Sequence, residues 1–213
     1  MSEPHHPVVR RALARLAAAA LCLAACAGPL HAAPAPAQVP TPVDCAKANS
    51  PELAALLCKD PALAPLEARL QQVVVLAQAQ TQRWGLDWPR DEQARWQRSR
   101  ADCLKQPDPR ACLALGARRR IAELLAVYAL VQGTAPRNFI CGTDGKPIML
   151  IFFATDPATA VARRGEDTIT LYAEPAGGAL RYAGSGWLLA EEKEGMRITA
   201  GRGAPEQRCR LQR

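Results

Sequence analysis

The chain has 213 residues, 27 Lys and Arg against 20 Asp and Glu, a formal charge of +7, and eight cysteines. That length admits one ordinary domain or two small ones. Aromatics at 5% exclude a large aromatic core, while the Ala and Leu content points to helices. The three histidines, His5, His6 and His31, all precede the first plausible structured residue. A Ser-His-Asp or Cys-His device and a histidine metal site are thereby excluded from the folded body. Carboxylate pairs, lysine nucleophiles and thiol chemistry stay open at this point, and no metal or cofactor is expected.

In chain order, Arg10, Arg11 and Arg15 precede an apolar run from Leu16 to Ala27. A basic stretch followed by about a dozen apolar residues reads as a signal peptide, too short for a membrane span. Leu23-Ala24-Ala25-Cys26 matches the bacterial lipobox, which predicts a signal peptide over 1–25 and acylation of Cys26. Ala27 after that cysteine resembles lipoproteins sorted to the outer membrane, facing the periplasm. Ordinary cleavage near His31-Ala32 is the alternative and would leave a soluble periplasmic protein. Residues 26–42 are a Pro/Ala-rich tether, semi-rigid because the alternating prolines of 33–42 favour extended polyproline geometry.

Beyond Cys22 and Cys26 six cysteines remain, an even number in an exported chain, which implies disulfides. Spacing favours neighbours: Cys45–Cys58, Cys103–Cys112 and Cys141–Cys209.

From Ser50 to about Val131 the apolar period is helical. Ser50-Pro51 is an N-cap followed by proline at the first helical position. Leu63, Leu66, Leu70, Val73 and Val74 form one helical face. Gly85 and Pro89 precede a second segment carrying Trp96, and Pro107 and Pro109 interrupt the chain again. A third helix is expected over Leu113 to Val131, with Leu115, Ile121, Leu124, Leu125 and Tyr128 buried. Arg118-Arg119-Arg120 reads as a solvated face and not a nucleic-acid patch, because consecutive helical residues point in different directions. After Gly133 eight short β-rich runs alternate with turn signals such as Asp144-Gly145, Asp156-Pro157 and Glu194-Gly195. That pattern predicts a small antiparallel barrel of about eight strands. The fold class is α+β, a disulfide-linked helical domain over 43–133 followed by a barrel domain over 134–213.

Two resemblances follow. Val43-Asp44-Cys45-Ala46-Lys47-Ala48, Leu57-Cys58-Lys59-Asp60-Pro61-Ala62-Leu63, and then Trp96, Arg100, Cys103 and Cys112, resemble the LprI-like domain of bacterial envelope proteins. Phe139-Ile140-Cys141, Asp144-Gly145, Arg181-Tyr182 and the closing Cys209 resemble the membrane-bound C-type lysozyme inhibitor family. The second resemblance implies an eight-stranded barrel in which a Ser-Gly-x-Arg-Tyr loop and a later Trp-x-Lys-Gly segment insert into the lysozyme cleft. There a cation and a hydroxyl would meet the two carboxylates of the glycosidase. In this chain the Ser-Gly pair reads Gly177-Gly178 or Gly178-Ala179, and the lysine position falls on Glu192 or, shifted by one, on Lys193. The residues implied for lysozyme contact are Tyr182, Lys193 and, as a replacement hydroxyl, Ser185. The implied function is a non-enzymatic envelope lipoprotein that inhibits C-type lysozyme and protects peptidoglycan. The alternative is an adaptor module that kept the scaffold without inhibition. The expected partners are C-type lysozyme and, through the lipid anchor, the membrane. No nucleic acid is expected: part of the +7 resides in the signal peptide and the rest is spread over both domains.

Overall fold

The computed structural model describes residues 50–142, 145, 147–174 and 180–212. The expectations for the signal peptide, Cys26, the tether, Cys45 and the Gly177–Ala179 loop lie outside these residues. The described chain folds as four α-helices followed by a closed eight-stranded antiparallel barrel. None of its helices is long and apolar enough to cross a membrane.

Helix α1 (Pro51–Lys59) starts where the sequence placed it, with the Ser50 side chain accepting from the Leu53 N–H at 3.1 Å. Helix α2 (Leu63–Arg83) is capped by Asp60, whose Oδ1 accepts from the N–H groups of Ala62 and Leu63. The other oxygen of Asp60 pairs with Arg110, at the start of α4. The Lys59-Asp60-Pro61-Ala62 stretch therefore does two jobs, capping one helix and holding the N-terminus of another. Helix α3 (Arg90–Ser99) runs into a 3-10 segment (Arg100–Lys105). Helix α4 (Pro109–Val127) uses Asp108 as its N-cap and Pro109 as its first residue.

Three expectations in this region need correction. The last helix begins at Pro109, since that proline starts it instead of breaking it, and ends at Val127 instead of Val131. Leu115 is 45% exposed, because the buried stripe of α4 runs through Leu113, Ala117, Ile121 and Leu124, and Leu115 falls beside it. Arg120 is not solvated: it is only 3% exposed.

Helices α2 and α4 bury Leu70, Val73, Ala77, Ile121 and Leu124 against each other. Leu53, Leu57, Leu63 and Leu113 form a second cluster near their N-termini, where the Cys103–Cys112 disulfide closes. Cys58 is also disulfide-bonded, and its partner lies outside the described residues.

The barrel strands are β1 (Arg137–Cys141), β2 (Pro147–Phe153), β3 (Thr159–Arg164), β4 (Asp167–Glu174), β5 (Arg181–Gly184), β6 (Trp187–Glu192), β7 (Gly195–Ala200) and β8 (Gln207–Leu211). Each pairs with the next, and β8 returns to β1, so no edge is left open. Cys141 and Cys209 are direct register partners across that closing seam and are disulfide-bonded. Phe139, Ile148, Leu150, Leu171, Leu189 and Ile198 fill the interior. Strand β3 is buried on both faces along most of its length, because α4 lies against its outer side. There Ala126 of α4 meets Phe153 and Val161. Gly133, in the segment entering the barrel, passes so close that a Cβ would sit 2.6 Å from Ile151 Cγ2.

Candidate functional site

The antiparallel order fixes which loops share an end of the barrel. The segment entering β1, the β2–β3 connection, the end of β4, the start of β5 and the β6–β7 turn share one end. The β3–β4 and β5–β6 turns and the β7–β8 loop emerge at the other.

Lys193 sits in the two-residue β6–β7 turn, where Glu192 is the register partner of Gly195. Gly195 is required there: a Cβ would lie 2.3 Å from the carbonyl oxygen of Cys209. Lys193 is exposed and has no ion-pair partner among the described residues. Its neighbour Glu192 points to the outer face and is held by Arg197 at 2.8 Å, with Arg208 at 3.8 Å. Glu191, the register partner of Met196, projects on the interior side at the barrel mouth. Two of the glutamates around Lys193 are thus directed away from it. Arg181 opens β5 at this same end, exposed, with Glu174 and Ala190 as register partners.

The remaining two candidates lie apart from Lys193. Tyr182 is a core residue, 6% exposed, its ring 5.4 Å from that of Phe152. Its register partner Leu189 faces inward, so the alternation of β5 turns Tyr182 inward too. Burial, with the nearby Glu191 charge, raises its hydroxyl pKa. Ser185 lies in the β5–β6 turn with Gly186, both at positive φ (+50° and +80°), the two-residue hairpin geometry that follows the strand twist. That turn is at the opposite end of β6 from Lys193, about 20 Å away along the strand. Ser185 and Lys193 do not belong to one insertion surface.

A second constellation went unread in the sequence. Arg120 donates to Gln93 Oε1 from Nη2 at 2.8 Å and from Nε at 3.2 Å. It also donates to Glu92 and Glu123, each at 2.9 Å. The Glu123 charge also acts on Tyr172 of β4, whose hydroxyl pKa is raised by burial and then by Glu123. Arg119 stacks over the Tyr172 ring at 5.2 Å. On the other side Trp96 receives the guanidinium groups of Arg100 and Arg120 at 5.0 and 5.9 Å. Arg100 pairs with Glu67, which is fully buried in α2. Burial raises the pKa of Glu67 and the Arg100 charge opposes that shift. A chain of charges and rings therefore runs from α2 through α3 and α4 to β4. The Trp96 and Arg100 of the sequence motif are structural members of it.

These residues form no acid–base pair across an open cleft, and Lys193 and Arg181 are exposed at one end of the barrel. The chain is similar to Lipoprotein LprI. The relatives of that name from Mycobacterium tuberculosis and Mycobacterium bovis are 29% identical over 186 residues, covering 84% of this chain and 89% of each relative. A match that long leaves too few residues outside it to omit either the helices or the barrel. The likeness therefore extends beyond the helical part to which the sequence motifs assigned it. No family model matches the chain, and no solved structure matches it.

Proposed function

We propose that the protein is an exported envelope lipoprotein, acylated at Cys26, whose barrel binds and inhibits C-type lysozyme. The observation that carries this reading is the shared barrel end: Lys193 and Arg181 both emerge there, exposed, while Glu192 is neutralised by Arg197 and Arg208. A cation inserted between two catalytic carboxylates competes with substrate and pairs with charges that the glycosidase needs. The similarity to Lipoprotein LprI across helices and barrel supports the envelope assignment, as do the lipobox and the tether. Without residues 1–25 the chain has 24 Lys and Arg against 19 Asp and Glu, and this net charge of +5 offers no overall attraction to a basic lysozyme, so the affinity comes from these local cations.

The test is lysis of a peptidoglycan suspension by a C-type lysozyme, with and without the purified protein. The expected result is inhibition at about micromolar concentration, weakened tenfold or more by Lys193→Glu. Full-speed lysis at that concentration, or inhibition indifferent to Lys193→Glu and Arg181→Glu, overturns the assignment. The adaptor reading draws on one observation: the only hydroxyl offered in place of the missing loop serine, Ser185, lies at the wrong end of the barrel. Under that reading the protein leaves lysozyme untouched.

A further inference from the structure

Away from the barrel end, an open groove of about 560 Å³ lies between α3 with its 3-10 extension and the N-terminal half of α4. Trp96, Leu113, Leu115 and Ala117 give it apolar walls, closed at one side by the Cys103–Cys112 disulfide. Two features mark it as more than a packing defect. Gly116 lies on its lining inside α4, where glycine is disfavoured, yet a Cβ there would meet nothing within 4 Å. Packing does not demand a glycine at this position; its effect is to keep the groove open.

The second feature is Arg119, half-buried on the lining. Its neighbours Arg100 and Arg120 are neutralised by Glu67 and by Glu92 and Glu123. Arg119 has only the Tyr172 ring, no carboxylate and no hydrogen-bond acceptor among the described residues, and its Nε is buried without a partner. From Asp108 to Arg119 the groove follows α4 for about 16 Å at 1.5 Å per residue, room for a medium acyl chain laid extended. We propose that this groove binds a single-chain apolar molecule bearing one carboxylate, with the carboxylate on Arg119 and the chain over Gly116 and Leu115. One unpaired guanidinium matches a monoanion.

The experiment uses the full chain carrying Cys26→Ala, so that no acyl group of its own enters the measurement. Dodecanoate, dodecanol and dodecyl phosphate are titrated separately by calorimetry. Dodecanoate should bind saturably at one site, and dodecanol about tenfold or more weakly for want of the charge-assisted bond. Arg119→Gln should abolish that difference. Gly116→Leu should abolish binding of both while leaving the melting temperature unchanged or raised, since leucine is the better helix former. The assignment is overturned by absent or many-site binding, by equal affinity for acid and alcohol, or by retained affinity in Gly116→Leu. Tighter binding of dodecyl phosphate than of dodecanoate overturns the choice of a monoanion.

Discussion

Arg118, Arg119 and Arg120 are identical in chemistry and consecutive in sequence, and they have three different environments. Arg118 is exposed, Arg119 lies on a tyrosine ring, and Arg120 is buried with four hydrogen bonds to three partners. Burying a guanidinium is tolerable only when its donors are matched. Two of the matching groups, Glu92 and Gln93, lie 27–28 residues away in sequence. Glu67 is the reciprocal case, a fully buried carboxylate with one oxygen on Arg100 and the other unpartnered. Its pKa is raised, foremost by burial, so the folded state holds the Glu67 proton more tightly than the unfolded chain does. This contribution to stability is complete below the ordinary glutamate range and is lost as pH rises through the raised value. Urea midpoints measured between about pH 4 and 8 should fall with rising pH over that window. Glu67→Gln should remove that decline, and an unchanged slope in the variant would refute the assignment.

At the scale of elements, the strands were the most legible part of the sequence. Each barrel hairpin announces itself with a glycine or proline turn, and the interior residues recur at period two. Helix α4 was read less well because it buries two faces, one on α2 and one on β3 and β4. A helix clad on both sides loses the single apolar stripe that marks an amphipathic one, which is why Leu115 was misplaced and the helix end overrun. Of the candidate site, the Glu194-Gly195 turn signal marks the hairpin that carries Lys193, whereas the places of Tyr182 and Ser185 depend on strand direction and register. Chain motifs carry neither. The barrel seam gives an element-scale prediction. Cys141 and Cys209 are 68 residues apart and close the β1–β8 pair. The double substitution Cys141→Ser and Cys209→Ser should cost about 4 kcal/mol, most of it through the longer unconstrained chain of the unfolded state. Guanidinium denaturation of the two proteins checks this, and a loss below 1 kcal/mol would mean that the other seven strand pairings alone hold the barrel closed.

For the whole molecule, the decisive question is whether helices and barrel unfold together. Their contact is built from two kinds of interaction. Ala126, Phe153 and Val161 form an apolar patch, and the Glu123–Tyr172–Arg119 group forms a polar one beside it. The helical part supplies both partners of Glu67–Arg100, and its own apolar clusters are small, so it gains much of its support from the barrel wall under α4. The intact protein should therefore unfold in a single transition, with far-ultraviolet and near-ultraviolet circular dichroism changing together. Val161→Asp places a charge on the outer face of β3, inside the apolar patch that Val161 forms with Ala126 and Phe153. Burial of an unpaired carboxylate costs several kcal/mol and is relieved by lifting α4 away. The barrel interior, filled by the opposite face of β3, is untouched by that lift. The variant should then unfold in two steps, the helical signal first and the barrel at a midpoint near that of the parent. If its two signals still coincide, α4 and the barrel are joined by more than this patch.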